Sequence, residues 1–165
     1  MSEEVGDLDA ASAVLALAER KATAVAGHQP LALVLGCDSL LDLDGRPLGK
    51  PSSPQEALEM WRCLSGREAT LHTGHCLIDT TLDRRVSGSA RTVVRFGAPS
   101  PAELAAYVKT GEPLAAAGAF TIEGFGAPFV DGIDGDPSNV GGLSLPLLRT
   151  MLAELGIAIT DLWRR

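Results

Sequence analysis

Aromatic residues make up only 4% of this 165-residue chain, so its core must come from Leu, Val, Ile and Ala, and the Ala-rich runs suit helices packed on a sheet. Positive charge is also scarce. Fourteen Lys and Arg against 21 Asp and Glu leave a formal net charge of -7, which argues against a sequence-blind grip on DNA or RNA, because that affinity comes from cations neutralising phosphates. A small charged substrate is compatible with this balance if the cations are local. The cysteines Cys37, Cys63 and Cys76 are odd in number and lack C-x-x-C spacing, so neither a disulfide framework nor a zinc knuckle is indicated, and a reducing compartment fits best. No apolar run reaches the length of about 18 residues that a membrane span needs. The stretch from Met1 to Asp9 is acidic where a secretory signal requires a basic start. The expectation is a soluble, cytoplasmic protein with no nucleic-acid or membrane partner.

The apolar content of 45% fills one core, so a single domain over residues 1–165 is expected. Ala11, Val14, Leu15, Ala18, Ala22 and Val25 recur at helical spacing, predicting a helix from about Asp9 to Ala26 that Gly27 stops. Leu31 to Leu35 is an uninterrupted apolar run that predicts a short strand covered on both faces, emerging at Gly36-Cys37-Asp38-Ser39. Asp44-Gly45 reads as a tight turn. Ser53-Pro54-Gln55-Glu56 and Ser100-Pro101-Ala102-Glu103 are capping boxes, predicting helices to about Leu64 and Thr110. Between them, Ala69 to Asp79 and Val86 to Phe96 read as an antiparallel pair. Short strands are expected at Phe120 to Glu123 and Pro128 to Val130, then a loop from Asp134 to Asn139 and a last helix capped by Ser144 and ending at Leu155-Gly156. This alternation indicates α/β or α+β architecture.

Several residues suggest chemistry, each beside a plainer reading. Asp38, at a strand end, is either a metal ligand or general base, or an acid capping its turn. Lys50, held between Gly49 and Pro51, is a site cation or a solvated surface lysine. Lys21 borders the buried stripe of the first helix, where its stem can snorkel outward. His72 and His75 lie three apart in a strand and therefore point to opposite faces, which tells against a shared metal. Asp134-Gly135-Asp136 resembles the start of a calcium loop without its later ligands, and turn chemistry explains it better. Glu123, between Ile122 and Gly124, is either exposed on an edge or aimed into a pocket.

Taken together, Gly36-Cys37-Asp38-Ser39, Asp44-Gly45, Leu48-Gly49-Lys50-Pro51, Leu64-Ser65-Gly66-Arg67, His72-Thr73-Gly74, Tyr107 to Pro113, Ala117-Gly118, Glu123-Gly124, Asn139-Val140 and Gly142-Leu143 resemble, in order and spacing, the Maf family of nucleotide pyrophosphatases. The resemblance implies a curved mixed sheet flanked by helices, a nucleoside triphosphate substrate cleaved to the monophosphate and pyrophosphate, a divalent cation (Mg²⁺ or Mn²⁺) and a homodimer. It implies Asp38 as proton acceptor and metal ligand, Lys50 and Lys21 as active-site cations, and Ser39 and Glu123 as determinants of base preference. Glu at position 123 is similar to the branch acting on 7-methyl-GTP, and its acceptor-only carboxylate suits the guanine N1–H and N2–H donors; Gln there accompanies uracil or thymine. The family's Ser-x-Ser-Pro-Arg-Arg phosphate loop is not found before the first helix, where Glu3 or Glu4 stands in for a family acid. An impaired nucleotide-binding remnant and a dTTP- or UTP-preferring enzyme are therefore the alternatives. Gly141 and Ser144 depart from the family's usual turn, a change expected to be structurally minor.

Overall fold

In the computed structural model, which describes residues 9–163, the Asp9 carboxylate accepts the Ser12 N–H at 2.8 Å and caps α1 (Ala10–Ala26). Glu3 and Glu4 lie outside the described residues. The helix ends at Gly27, but its buried face differs from the expected one. Ala10, Ala13, Val14, Ala18 and Ala22 are buried, Leu15 is half-buried, and Val25 is 49% exposed. Small side chains dominate because this face lies almost backbone to backbone on the sheet.

The sheet has five strands in the order β2-β1-β3-β4-β5: β1 (Leu33–Leu43), β2 (Arg46–Leu48), β3 (Glu68–Asp79), β4 (Arg84–Phe96) and β5 (Val130–Asp134). The α/β class is as expected, and every pairing among the described residues is antiparallel. β1 corrects the sequence reading most. The strand does not stop at Leu35 but runs on through Asp38 to Leu43, because β3 provides a continuous ladder from Leu33 opposite Asp79 to Asp42 opposite Thr70. Nor is it covered on both faces at its start, since Leu31 is 81% and Leu33 37% exposed. The Asp44-Gly45 turn takes positive φ at both residues (52° and 84°), the conformation that closes a two-residue hairpin.

β2 pairs only with Leu41 to Leu43. From Leu33 to Leu40, β1 therefore has β3 on one side and, among the described residues, no strand on the other. On the α1 face, Gly36 and Gly74 are the points of closest approach. A methyl group at Gly36 would lie 2.7 Å from the Ala22 nitrogen, and one at Gly74 would strike the Val14 carbonyl and lie 2.6 Å from the Leu15 nitrogen.

The main core lies beneath α2 (Pro54–Leu64) and α3 (Pro101–Lys109). Trp61 is fully buried and meets Phe96, Tyr107 and Phe129 edge-on at 5.5, 6.0 and 6.1 Å, so the few aromatic residues are concentrated in one place. Both helices begin at their predicted serine caps. The Ser100 box is complete, whereas Glu56 reaches back to the Ser52 N–H at 2.7 Å instead of to the cap residue. Two short strands were misplaced: Phe120 to Glu123 is irregular chain, and Ala127–Phe129 is a 3₁₀ turn that precedes β5. The approach to the first has Gly118 and Ala119 at positive φ (71° and 61°), which no strand continues through. Part of the expected loop is α4 (Pro137–Val140), and α5 (Leu145–Glu154) closes the fold from its Ser144 cap. No helix of the described residues is long and apolar enough to cross a membrane.

Gly74→Ala should lower stability by about 1–3 kcal/mol, the scale of overpacking against a rigid neighbour, read as a shift of the urea midpoint. An unchanged midpoint would show that α1 can lift from the sheet at no cost.

Candidate active site

The open side of β1 borders a cavity of about 300 Å³ whose lining includes Lys21, Cys37, Asp38, Ser39, Lys50 and Glu123. Thus the five residues singled out from the sequence, scattered over more than a hundred positions, meet in one place. Asp38 is not at a strand end. It lies in mid-strand opposite Gly74, and it reaches the cavity because β1 lacks a neighbour there among the described residues.

Lys21 crosses from α1 to β1. Its ammonium donates to the Cys37 carbonyl at 3.2 Å and pairs with the Asp38 carboxylate through Oδ1. The close seating of α1 at Gly36 makes that span short. The Asp38 side chain is 19% exposed and that of Lys21 57%, so the pair is wet on one side and its net worth to folding is small. Lys50 comes from the far wall. Its loop is tied to the 3₁₀ turn Ala117–Ala119 by the Gly118 N–H donating to the Gly49 carbonyl at 3.0 Å, and that turn is held to the core by the Trp61 indole N–H on the Ala119 carbonyl at 2.8 Å. Among the described residues the Lys50 ammonium has no hydrogen-bond or ion-pair partner.

Ser39 faces the other way from Asp38 along the strand, towards β3 and α4. Its hydroxyl lies 2.8 Å from the Thr73 hydroxyl, which donates to the Asn139 carbonyl at 3.2 Å. A carbonyl only accepts, so the Thr73 proton is committed to it and Ser39 is the donor to Thr73. The lone pairs of Ser39 then remain for a ligand. Glu123 is exposed at the cavity rim. Cys37 lines the same space, but burial pushes its thiol up to about 11 against the pull of Lys21, so it stands there as a neutral thiol.

The two histidines part company, as their spacing requires. His72 is half-buried, and burial lowers its pKa. His75 is fully buried on the opposite face, where its Nε2 accepts the Ser144 N–H at 2.9 Å and its Nδ1 faces the Thr73 carbonyl at 3.0 Å. Those partners select the Nδ1–H tautomer. Ser144 proves more than a minor replacement. It is 2% exposed, donates its hydroxyl to Asp136 at 2.6 Å and accepts the Leu147 N–H at 3.3 Å. Asp136, the second acid of the calcium-loop resemblance, is taken up as the cap of α4, accepting the Ser138 N–H at 2.9 Å.

The Maf-like protein family model matches residues 1–155 of this sequence. The chain belongs to the Maf family. This Maf-like chain is 59% identical over 155 residues to the nucleoside triphosphate pyrophosphatase of Streptomyces coelicolor, an alignment covering 93% of the chain and 75% of that protein. It is 56% identical to the nucleoside triphosphate pyrophosphatase of Streptomyces avermitilis, with the same coverage. With the protein of the same name from Mycobacterium sp. (strain JLS) it shares 52% over 160 residues, covering 92% of the chain and 76% of that protein. Reading the Maf motifs alone missed the Ser39–Thr73–Asn139 chain, the cavity walls at Ala115 to Ala117 and Val140 to Gly142, and the role of Glu112. The motif from Tyr107 to Pro113 contains Glu112, but nothing in its spacing shows that the carboxylate is bound by residues up to fourteen positions later.

His75 gives a pH dependence. Burial, opposed by the Thr73 carbonyl and by Asp136, lowers its folded pKa below 6.5, so the unfolded chain binds the extra proton first. Stability is full above pH 6.5 and is lost as pH falls below it towards the lowered value, because a protonated Nε2 cannot accept from Ser144. The urea midpoint should fall between pH 7.5 and 5.5, and His75→Gln should flatten that fall; an undiminished slope would assign it to other groups, His72 among them.

Proposed function

We propose that this chain hydrolyses a nucleoside triphosphate between the α- and β-phosphorus, releasing the monophosphate and pyrophosphate, with preference for a guanine-type base. The observation that supports this reading best is the shared cavity of Asp38, Lys21, Lys50, Ser39 and Glu123. Its volume of about 300 Å³ falls at the lower end of ligand pockets, roughly 300–1,000 Å³. The names of the related pyrophosphatases point to the same reaction class.

With Lys21 on Oδ1, the Oδ2 of Asp38, which has no partner among the described residues, takes a proton from a water whose oxygen forms a bond to the α-phosphorus. The bond from that phosphorus to the bridging oxygen breaks, and its electron pair leaves with the pyrophosphate. The ammonium of Lys50, which has no partner among the described residues, meets the charge that develops there. Among the described residues the charged side chains lining the cavity cancel, two lysines against Asp38 and Glu123, so a further cation would suit a polyanionic tail. Among the described residues no group of three or more His, Cys, Asp or Glu is arranged to hold a metal. A single carboxylate suits Mg²⁺ or Mn²⁺ arriving with the nucleotide, since Mg²⁺ is commonly held by one or two carboxylates together with substrate phosphates. Asp38 is the residue that would hold it, and the ion would neutralise phosphate charge.

The preference for guanine rests on Ser39 and Glu123 both offering acceptors to a base edge that offers donors. Uracil and thymine present an acceptor at O4, which an ionised Glu123 repels.

Asp38→Asn should cut pyrophosphate release by about 10²- to 10⁴-fold, the usual worth of general-base help, while binding of the metal-free nucleotide by calorimetry stays near wild type. Near-wild-type turnover would remove Asp38 from the mechanism. In the wild type, 7-methyl-GTP and GTP should be hydrolysed ahead of UTP and dTTP. A dTTP preference would overturn the reading of Glu123, and no turnover with any of the four would leave a nucleotide-binding module.

A further inference from the structure

The segment Phe120 to Gly126, which carries Glu123 to the cavity, forms neither helix nor strand. A side chain from outside the cavity organises it. Glu112 opens the 3₁₀ turn Glu112–Ala115 that follows α3, and its carboxylate collects four donors. The Thr121 hydroxyl lies at 2.5 Å and the Tyr107 hydroxyl at 2.8 Å, with the Phe125 N–H at 2.8 Å and the Gly126 N–H at 3.1 Å. The Thr121 N–H in turn donates to the Tyr107 hydroxyl at 3.3 Å. These contacts bracket Glu123 on both sides.

The packing around the carboxylate is tight. A methyl group at Gly124 would strike the Glu112 carboxylate, lying 2.7 Å from its Cδ, and one at Gly126 would lie 2.9 Å from the Tyr107 Cζ. The two glycines therefore let the segment fold onto the acid. Burial pushes the Glu112 carboxyl up, but the Thr121 hydroxyl, the Phe125 N–H, the Tyr107 hydroxyl and the Gly126 N–H outweigh it and bring it down to about 2. With the folded value depressed, the contribution of this carboxylate is present above the ordinary carboxyl range and lost only as pH falls towards 2, so it stays charged under any assay condition near neutrality. The Glu112 turn also leads directly into Ala115 and Ala116, which line the same cavity. One carboxylate thereby joins the wall at 115–117 to the wall at 121–123.

We propose that Glu112 is the positioning residue of the base-reading segment: it does not line the cavity, and it fixes the backbone from which Glu123 projects well enough for one base edge to be told from another. The proposal rests on the reading of Glu123 given above. A hydrogen-bonding group discriminates only when it is held in place, because a loose acceptor follows whichever base is bound.

The test compares wild type with Glu112→Gln, which keeps the side-chain volume and puts an amide N–H₂ among donors. Two readouts are taken. The first is the ratio of kcat/KM for GTP over UTP. It should fall by about tenfold or more, the scale of losing a charge-assisted contact, with KM for GTP rising and kcat at saturation little changed, since Asp38, Lys21 and Lys50 are untouched. The second is backbone hydrogen exchange at Phe125 and Gly126, which should accelerate. A lower melting temperature with an unchanged ratio is the signature of a merely structural residue and overturns the proposal, as does unchanged exchange. If Glu112→Gln does not fold, Tyr107→Phe, which removes a donor to Glu112 together with the acceptor of the Thr121 N–H, should move the ratio in the same direction, and constancy there overturns it. Faster exchange in the variant, with no base discrimination in the wild type, would strike the reading of Glu123 while leaving Glu112 as what holds the segment.

Discussion

The seating of α1 on β1 and β3 is set by Gly36 and Gly74, where helix backbone and sheet backbone come too close for any Cβ to stand between them. The geometry of the cleft follows from that contact. A helix held one side-chain layer further out would leave the Lys21 ammonium short of the Asp38 carboxylate and the Cys37 carbonyl. Because the helix is close, a flexible lysine spans the gap from an exposed position and occupies one oxygen of Asp38. The buried face of α1 is rich in alanine for the same reason, since larger residues would hold the helix away.

The far wall is built on a different principle. Lys50 and Glu123 come from loops, and loops hold a position only through contacts made outside their own backbone ladder. For Lys50 the anchor is apolar and aromatic: Trp61 is locked in the core and its indole N–H grips the Ala119 carbonyl, while the adjoining Gly118 grips Gly49. For the segment that carries Glu123 the anchor is the Glu112 carboxylate, bound to Thr121, Phe125 and Gly126. The cavity therefore joins one wall made of helix and sheet to a second wall held by two side chains that do not line it.

Much of the fold could be read from the sequence where local chemistry decides the outcome. Ser53, Ser100 and Ser144 begin their helices because a serine oxygen satisfies an N–H that has no other partner, and Asp44-Gly45 closes its hairpin because both residues tolerate positive φ. The reading failed where tertiary contacts decide. Gly36-Cys37-Asp38-Ser39 looks like the end of an apolar strand, yet β3 pairs with it residue by residue and the strand continues. Phe120 to Glu123 has strand-like composition, but the left-handed residues before it and the Glu112 carboxylate beside it impose an irregular path. Within the site, position alone left Asp38, Lys50 and Lys21 with plain alternatives, and it was the Maf resemblance that joined them. The contributions of Thr73 and Glu112 were out of reach, because the partners of Thr73 lie 34 and 66 residues away and those of Glu112 are spread over positions 107 to 126.

If Asp38, Lys21, Lys50, Ser39 and Glu123 together hold one nucleotide, its phosphate end and its base end should be distinct. A crystal structure of the chain with Mn²⁺ and α,β-methylene GTP, which lacks the cleavable bridging oxygen, tests this directly. The phosphates should lie between Lys21 and Lys50, with the metal at Asp38 and the guanine edge against Ser39 and Glu123. An analogue bound outside this cleft, or bound within it with its base at the lysines, would rule out that arrangement.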